Sequence, residues 1–273
     1  MIKKIWNSIK EDKIALISFI FLIVISLSAI FAFLSPYKPN DINLSNSFQG
    51  PSLTHWFGTD SLGRDYFTRI LFGGRATLMV GFSVMILSTG IGTIVGAISG
   101  YVGGIVDNIL MRFLEIFMSI PTFFILLILS VIIKSSLTEI IVVISVFSWM
   151  GTARVIRGEV LTLREIDYVK CAESQGISSS RIIVSHIIPN IGQIVVVSST
   201  MNAANAILME AMLSFLGLGL KPPTASWGSM LNSAEQYMTT NPYLIIFPSI
   251  FIILVVLSFN CIGRAVQKGF GKS

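Results

Sequence analysis

Charged residues are scarce in this chain. Asp, Glu, Lys and Arg make up 12% of its 273 residues, whereas a soluble globular domain carries about 25%. Hydrophobic residues account for 53%, which excludes a disordered or collagen-like chain. The composition therefore predicts an integral membrane protein whose apolar segments cross the bilayer as helices.

Cysteine and histidine are also rare, with two of each. Cys171 and Cys261 are too few and too far apart for a disulfide framework or a cysteine-based metal site. His55 and His186 lie in segments that we expect on opposite sides of the membrane, so they cannot ligate one metal ion together. Because no Ser-His-Asp, Cys-His or paired-carboxylate pattern appears, we predict no metal site and no catalytic residues.

Six long apolar segments predict an all-α polytopic membrane protein with six transmembrane helices. The first, residues 14–34, ends in bulky Phe33 and Leu34, so we interpret it as an anchor and not as a signal peptide, which ends in small residues. The other predicted spans are residues 78–101, 109–133, 140–156, 187–209 and 243–262.

The basic residues predict the orientation. With both termini in the cytoplasm, thirteen of the 19 Lys and Arg residues fall inside and six outside, as the positive-inside rule expects. They form no basic run with interleaved aromatic residues, which argues against nucleic-acid binding. Arg64, Arg69 and Arg75 fall outside, and we interpret them as an interfacial helix that leads into the second span.

Four glycines recur at every fourth position from the second span onward. Gly92, Gly96, Gly100 and Gly104 would share one face of a helix. Such a face allows close approach of another helix, which is our interpretation, and a pore-lining role is the alternative.

The segment 164–190 predicts two short helices. Residues 167–175 form the first, which Gly176 ends, and residues 178–180 cap a second run that Pro189 closes. A helical hairpin held at both ends by membrane spans is poorly placed to bind DNA, so we expect it to dock on a protein.

This segment resembles the EAA motif of the permease subunits of ATP-binding-cassette (ABC) importers. In that family the motif forms the coupling helix, which sits in a cleft of the ATPase subunit and passes nucleotide-driven closure to the membrane spans. Cys171 stands where the family usually has alanine, a small-for-small exchange. The implied ATPase-coupling residues are Tyr168, Cys171, Ala172, Glu173, Ser174, Gln175, Gly176, Ile177 and Pro189.

Two further segments are similar to the C-type permease subunit of dipeptide, oligopeptide and nickel importers. Residues 210–231 match its LSFLGLG…PP…WG segment, although Ala225 replaces a common proline, and Gly263-Arg264 replaces a usual Gly-Asp near the end. The FGTD-x-x-GRD signature is matched by Phe57, Gly58, Thr59, Asp60, Gly63, Arg64 and Asp65. Together the three segments run in the family's order over almost the whole chain.

The resemblance implies a type I ABC importer permease core, residues 76–273, preceded by an N-terminal extra span and outer segment, residues 1–75. The core includes the coupling loop 164–190 and an outer loop, 213–242, that faces the binding protein. The implied partners are a sister permease in a heterodimer, two ATPases, an extracytoplasmic substrate-binding protein and membrane lipid. The implied location is the cytoplasmic membrane of a bacterium or archaeon.

We expect no cofactor on this chain, with ATP and Mg bound by the partner ATPases. The sequence Gly271-Lys272-Ser273 is not a phosphate-binding loop, because position 266, where the motif requires glycine, is valine.

Ionisable residues at membrane depth are usually functional, and Glu210 is the strongest candidate here. Interhelical hydrogen bonding is the structural alternative. We also expect Arg112 to pair with Glu115, and Glu139 to lie at a helix start. The residues proposed for the translocation path are Glu210, Asn202, Asn205 and Ser214.

Peptides are the expected cargo by resemblance, with nickel or a metal chelate as the alternative. An ion-coupled secondary transporter predicts inverted repeats with acids at the membrane midplane, and neither is evident. A membrane anchor or assembly subunit is the other alternative, and it predicts normal uptake when Gly176 is replaced by a bulky residue.

Overall fold

The computed structural model describes residues 2–132 and 136–271. This part of the chain is helical, with one isolated β-bridge between Thr59 and Asp65, so the predicted all-α fold is confirmed. A π turn spans Ile183–Ile187, and 3₁₀ turns span Phe31–Leu34, Leu44–Asn46 and Glu235–Tyr237. The helices are α1 (Ile2–Glu11), α2 (Lys13–Ile30), α3 (Tyr66–Val102), α4 (Gly104–Met118), α5 (Thr122–Ile132), α6 (Leu137–Leu163), α7 (Asp167–Ser174), α8 (Ser179–Ile182), α9 (Ile188–Asn190), α10 (Gly192–Phe215), α11 (Trp227–Ala234) and α12 (Tyr243–Gly271).

Five helices of the described chain are long and apolar enough to cross a membrane: α2 with its 3₁₀ extension, α3, α6, α10 and α12. The span predicted for residues 109–133 falls on two helices, α4 and α5, with a break between them. Helices α4 and α5 bend by 75° at the break between them, and the pair would make a sixth span. Pro121 lies in this break, where it lacks an amide hydrogen and disfavours helical geometry in the residue before it. Residue 133, at the end of the predicted span, and residues 272 and 273 lie outside the described residues.

Helix α3 begins earlier than the sequence suggested. Asp65 caps its first turn, and Arg69 and Arg75 lie in a helix that runs unbroken into the second span, whereas Arg64 precedes it. The predicted helix leading into that span is therefore present, but it includes only two of the three arginines. Gly73 and Gly74 do not interrupt α3, because the Trp227 ring packs against them: a Cβ added at Gly74 would lie 2.8 Å from that ring. The predicted division between residues 75 and 76 falls inside this helix.

Three of the four spaced glycines bring α3 and α6 into close contact. A Cβ at Gly92, Gly96 or Gly100 would lie 2.5–2.8 Å from atoms of α6, including the backbone oxygens of Ala153 and Arg157. The packing interpretation is thus confirmed for these three. It is wrong for Gly104, which has a φ of +58° and open space beside it, because the chain turns there from α3 into α4.

One end of the bundle carries both ends of the described chain together with the 164–190 segment. Gln193 at the start of α10 donates from Nε2 to the Gln267 carbonyl of α12 at 3.2 Å, and Arg164 donates from Nη1 to the Gly100 carbonyl of α3 at 3.3 Å. Helix α1, which the sequence analysis did not foresee, packs on the final turns of α12 through Ile9. We call this the loop end, and the opposite end, which carries residues 57–65, the signature end.

Candidate functional site

The turn after α7 has the geometry that its sequence predicts. Gly176 has a φ of +77°, which favours glycine. Its amide donates to the Glu173 carbonyl at 2.9 Å, and the Ile177 amide donates to the Ala172 carbonyl at 3.2 Å. This pair of hydrogen bonds is the Schellman arrangement, which ends a helix sharply and fixes the direction of the chain that follows.

Helix α7 has one buried face and one exposed face. Val169 and Ala172 pack into a core cluster with Ile182 and Ile187, so Ala172 contacts the chain's own bundle. Ile177 is half-buried. The other predicted coupling residues are exposed, namely Tyr168, Cys171, Glu173, Ser174, Gln175, Gly176 and Pro189.

An ion pair holds the base of α7. Lys170 Nζ lies 3.0 Å from Glu165 Oε2, and Arg164 Nε donates to Glu165 Oε1 at 3.2 Å. The hydrogen bond from Lys170, with a smaller contribution from Arg164, lowers the pKa of Glu165. Glu165 therefore stays ionised at neutral pH and links the end of α6 to α7.

The second run of this segment differs from the prediction. Ser178 occupies the N-cap position of α8 but makes no side-chain capping hydrogen bond, so the predicted serine cap is wrong. Pro189 does not end the run, because it lies inside α9, directly after the π turn. In that wider turn the Ile188 amide bonds back to the Ile183 carbonyl, and the chain stays helical past a proline that has no amide hydrogen.

At the signature end, Asp65 ties the loop to the first turn of α3. Its Oδ2 accepts from the Thr68 amide at 2.8 Å and from the Thr68 hydroxyl at 2.7 Å. Its Oδ1 lies 2.8 Å from His55 Nδ1, and both side chains are buried. Asp65 is thus a helix cap, which stabilises a helix by about 1 kcal/mol.

Asp60 organises the turn of the signature itself. It accepts from the amides of Leu62 and Arg64 at 2.9 and 3.1 Å and from Arg64 Nε at 2.7 Å. The Arg69 guanidinium lies 3.5 Å from the same carboxylate. All of these groups belong to the chain itself, so the carboxylate is occupied by structural contacts.

The remaining signature residues pack the loop against α12 and against the 43–50 segment. Phe57 stacks on Phe247 of α12 with ring centroids 4.0 Å apart and an interplanar angle of 9°. The Thr59 hydroxyl donates to the Asn46 carbonyl. Gly58 and Gly63 have φ values of +76° and +67°, and a side chain on either would meet backbone atoms of the 43–50 segment.

The structure separates the four residues proposed for the translocation path. Glu210 is fully buried, accepting from Thr77 Oγ1 at 3.2 Å and from Ser214 Oγ at 2.7 Å. Ser214 is buried beside it. Asn202 and Asn205 instead line an open cleft of about 460 Å³ between α4–α5, α6 and α10.

This cleft is lined by amide and hydroxyl groups together with methionine and phenylalanine side chains. Asn202 Nδ2 donates to Thr89 Oγ1 at 3.1 Å and to Thr152 Oγ1 at 2.9 Å, so its amide joins three helices. No charged residue is among those that line the cleft in the described chain. Its lining residues are Phe117, Met118, Thr122, Leu126, Phe147, Ser148, Met150, Gly151, Thr152, Val155, Ser198, Met201, Asn202, Asn205 and Met209.

The sequence patterns did not predict two structural features. Asp107 of α4 accepts from Arg157 Nε of α6 at 2.9 Å and from Ser99 Oγ of α3 at 2.5 Å, which ties three helices together near the loop end. Trp227 is fully buried, and its Nε1 donates to the Ile70 carbonyl at 2.9 Å. The only sequence signal for the second contact was the pair of adjacent glycines in α3.

The smaller predictions on acidic residues are confirmed. Glu115 pairs with Arg112 at 3.4 Å on an exposed face. Glu139 lies in the first turn of α6, where it forms a capping box with Ser136.

Comparison with known proteins decides the family. The model of the binding-protein-dependent transport system inner membrane component matches residues 92–272, and that of the N-terminal transmembrane domain of oligopeptide transport permease C matches residues 1–51. The chain belongs to the binding-protein-dependent permease family. It is therefore a multi-pass inner-membrane subunit of an ABC importer, which works with ATPase and binding-protein partners, and the ATPase is a separate subunit.

Three relatives illustrate the similarity. A Brucella suis protein named as a putative peptide permease is 43% identical over 86% of this chain and 78% of its own length. The oligopeptide transport system permease protein OppC of Bacillus subtilis is 38% identical over 94% of this chain and 85% of its own. The glutathione transport system permease protein GsiD of Escherichia coli is 36% identical over 96% and 87%.

Proposed function

We propose that this permease subunit imports di- and oligopeptides as one half of a heterodimer with a sister permease. The cargo assignment is supported by the names of its relatives, which include peptide, oligopeptide and glutathione permeases. Within the chain, the observation that carries it is the uncharged cleft, where amides and hydroxyls lie beside methionine and phenylalanine side chains.

Such a lining suits peptides of varied sequence. Neutral donors and acceptors match the peptide backbone, which every cargo shares, whereas a fixed charge would select for side chains of the opposite sign. Methionine is flexible and polarisable, and it recurs on surfaces that accept many ligands. Asn205 is exposed in the cleft, and we propose that its amide contacts the moving peptide.

We propose that the loop end faces the cytoplasm, with both termini there, and that α7 docks on an ATPase. The support is the excess of basic residues in the segments of that end and the polar, exposed face of α7. The outer loop 213–242 then lies at the extracytoplasmic face, where we propose that it meets the loaded binding protein. Its helix α11 is anchored in the bundle by buried Trp227.

The cargo is tested by purifying the co-expressed importer in mild detergent and identifying, by mass spectrometry, the small molecule held by its co-purifying binding protein. The complex is then reconstituted in nanodiscs, where a loaded binding protein should stimulate ATP hydrolysis. A peptide-loaded protein that stimulates hydrolysis supports the proposal. Stimulation by a nickel-loaded protein alone would contradict it.

The role of the cleft is tested with a matched pair of asparagine variants. Asn205→Leu should lower peptide uptake about fivefold, since a lost hydrogen bond is worth roughly 1 kcal/mol. Asn260→Leu is the control, because Asn260 lies in α12 and its amide bonds to the Val256 carbonyl of its own helix at 3.0 Å. Equal uptake by the two variants would exclude Asn205 from the path.

A further inference from the structure

A second cleft lies at the loop end, where the chain turns at Asp12 from α1 into α2 and crosses the final turns of α12. Its volume is about 420 Å³. Small residues form the crossing, since a Cβ on Gly269 would overlap the Ser8 hydroxyl. The residues that line this cleft are Ser8, Glu11, Asp12, Lys13, Ile14, Ala265, Lys268 and Gly269.

Charges of both signs face this cleft without neutralising one another. In the described part of the chain, none of the ion pairs within 4 Å involves Glu11, Lys13 or Lys268. Asp12 uses one carboxylate oxygen, Oδ1, to cap α2 by accepting from the amides of Ile14 and Ala15. A ligand that carries both a phosphate and an ammonium group would match these four side chains.

The surroundings of the cleft are those of a membrane interface. Ile14 and Ile17, three residues apart on one face of the apolar span α2, are 66% and 67% exposed. Trp6 of α1 contacts Phe19 edge-on at 5.5 Å, and Lys10 lies 5.1 Å from the Trp6 ring centroid. Tryptophan and lysine at the end of an apolar span mark the head-group layer of a bilayer.

We propose that this cleft binds a phospholipid with an ethanolamine head group. Lys13 and Lys268 bind the phosphate, and Glu11 with the free oxygen of Asp12 accepts hydrogen bonds from the ammonium. The acyl chains then lie along the exposed face of α2. An ethanolamine ammonium has three N–H donors, whereas a choline head group has none and a glycerol head group carries no positive charge. The cleft therefore selects ethanolamine lipid among these three.

The experiment uses the full-length chain, purified in mild detergent, delipidated and mixed with equimolar dioleoyl phosphatidylethanolamine and dioleoyl phosphatidylglycerol. Native mass spectrometry measures the retained lipid. We expect at least about fivefold more ethanolamine lipid on the wild-type chain, because its charge-assisted hydrogen bonds are the stronger set. Glu11→Gln should reduce that preference, because only Asp12 then remains to accept from the ammonium, while lipid is still retained. The double variant Lys13→Gln/Lys268→Gln should lower retention of both lipids.

The control is Lys38→Gln, which removes an exposed lysine at the signature end and should leave both lipids bound as in the wild type. A size-exclusion profile checks that each variant is folded. Equal retention of the two lipids by the wild type would overturn the proposal. So would an unchanged preference in Glu11→Gln, or a loss in Lys38→Gln as large as that in the lysine double variant.

Discussion

Leucine at Gly96 should prevent the chain from forming a stable bundle, whereas leucine at Gly90 should leave it folded. Both glycines lie in α3, but a Cβ at Gly96 would meet the Ala153 oxygen at 2.5 Å and Ile156 Cβ at 2.9 Å. The first of these is a backbone atom of α6, so no change of rotamer can make room. Gly90 is exposed, with nothing within 4 Å of its Cβ position.

We expect the two leucine substitutions to differ widely in their effect on the free energy of unfolding. Overpacking by a few methylenes costs about 1–3 kcal/mol in a core that can shift. The cost at Gly96 should be higher, because the α3 and α6 backbones must separate to admit leucine. A domain is stable by only about 5–15 kcal/mol. At Gly90 the substitution removes an unfavourable helical glycine and gains up to about 1 kcal/mol.

Size-exclusion profiles and thermal unfolding in detergent measure this difference. We expect Gly96→Leu to elute as aggregate and Gly90→Leu to elute and melt like the wild type. Similar profiles for the two variants would mean that the α3–α6 contact is not the close packing described above.

Valine at Gly176 should uncouple ATP hydrolysis from binding-protein stimulation while the bundle stays folded. At a φ of +77° a β-branched residue is strained by about 1–3 kcal/mol, which the exposed turn relieves by changing its conformation. Nothing lies within 4 Å of the Cβ position, so the bundle itself is not disturbed. The exposed face of α7 is then held in a different direction, and the contact proposed between it and the ATPase should be lost.

Stimulated ATP hydrolysis in nanodiscs is the measurement, and we expect a fall of at least about tenfold, equivalent to about 1.4 kcal/mol of lost interaction. Asparagine tolerates the left-handed conformation, so Gly176→Asn should keep most of the stimulation. Normal stimulation in Gly176→Val would support the anchor or assembly role over the coupling role.

Sequence patterns predicted most of the fold because membrane spans are local features. Apolar segments of sufficient length gave the positions of α2, α3, α6, α10 and α12 to within a few turns. The break between α4 and α5 was missed because the apolar segment continues through Pro121 and has the length of one span. Helix α1 was missed because ten residues with four charged side chains show no span-like pattern, and packing on α12 stabilises it.

The candidate site was likewise predictable from the sequence only in part. The end of α7 was predictable because Gly176 acts through its own backbone geometry. The direction in which each helix face points was not predictable. Asn205 and Glu210 are five residues apart, which places them about 140° apart around α10. One therefore lines the cleft while the other is buried against α3 through Thr77. The direction of Ala172, toward the chain's own core, likewise depends on tertiary packing.

Cross-linking from Cys171 tests the central claim most directly, because this native cysteine is exposed on α7. The purified importer is labelled with a short reagent that joins a maleimide to a photoreactive group, irradiated, and analysed by mass spectrometry. We predict an adduct between this chain and an ATPase subunit that persists in Cys261→Ser and disappears in Cys171→Ser. An adduct from Cys171 that joins only the binding protein, or none to an ATPase in an intact complex, would contradict the claim that α7 couples this permease to ATP hydrolysis.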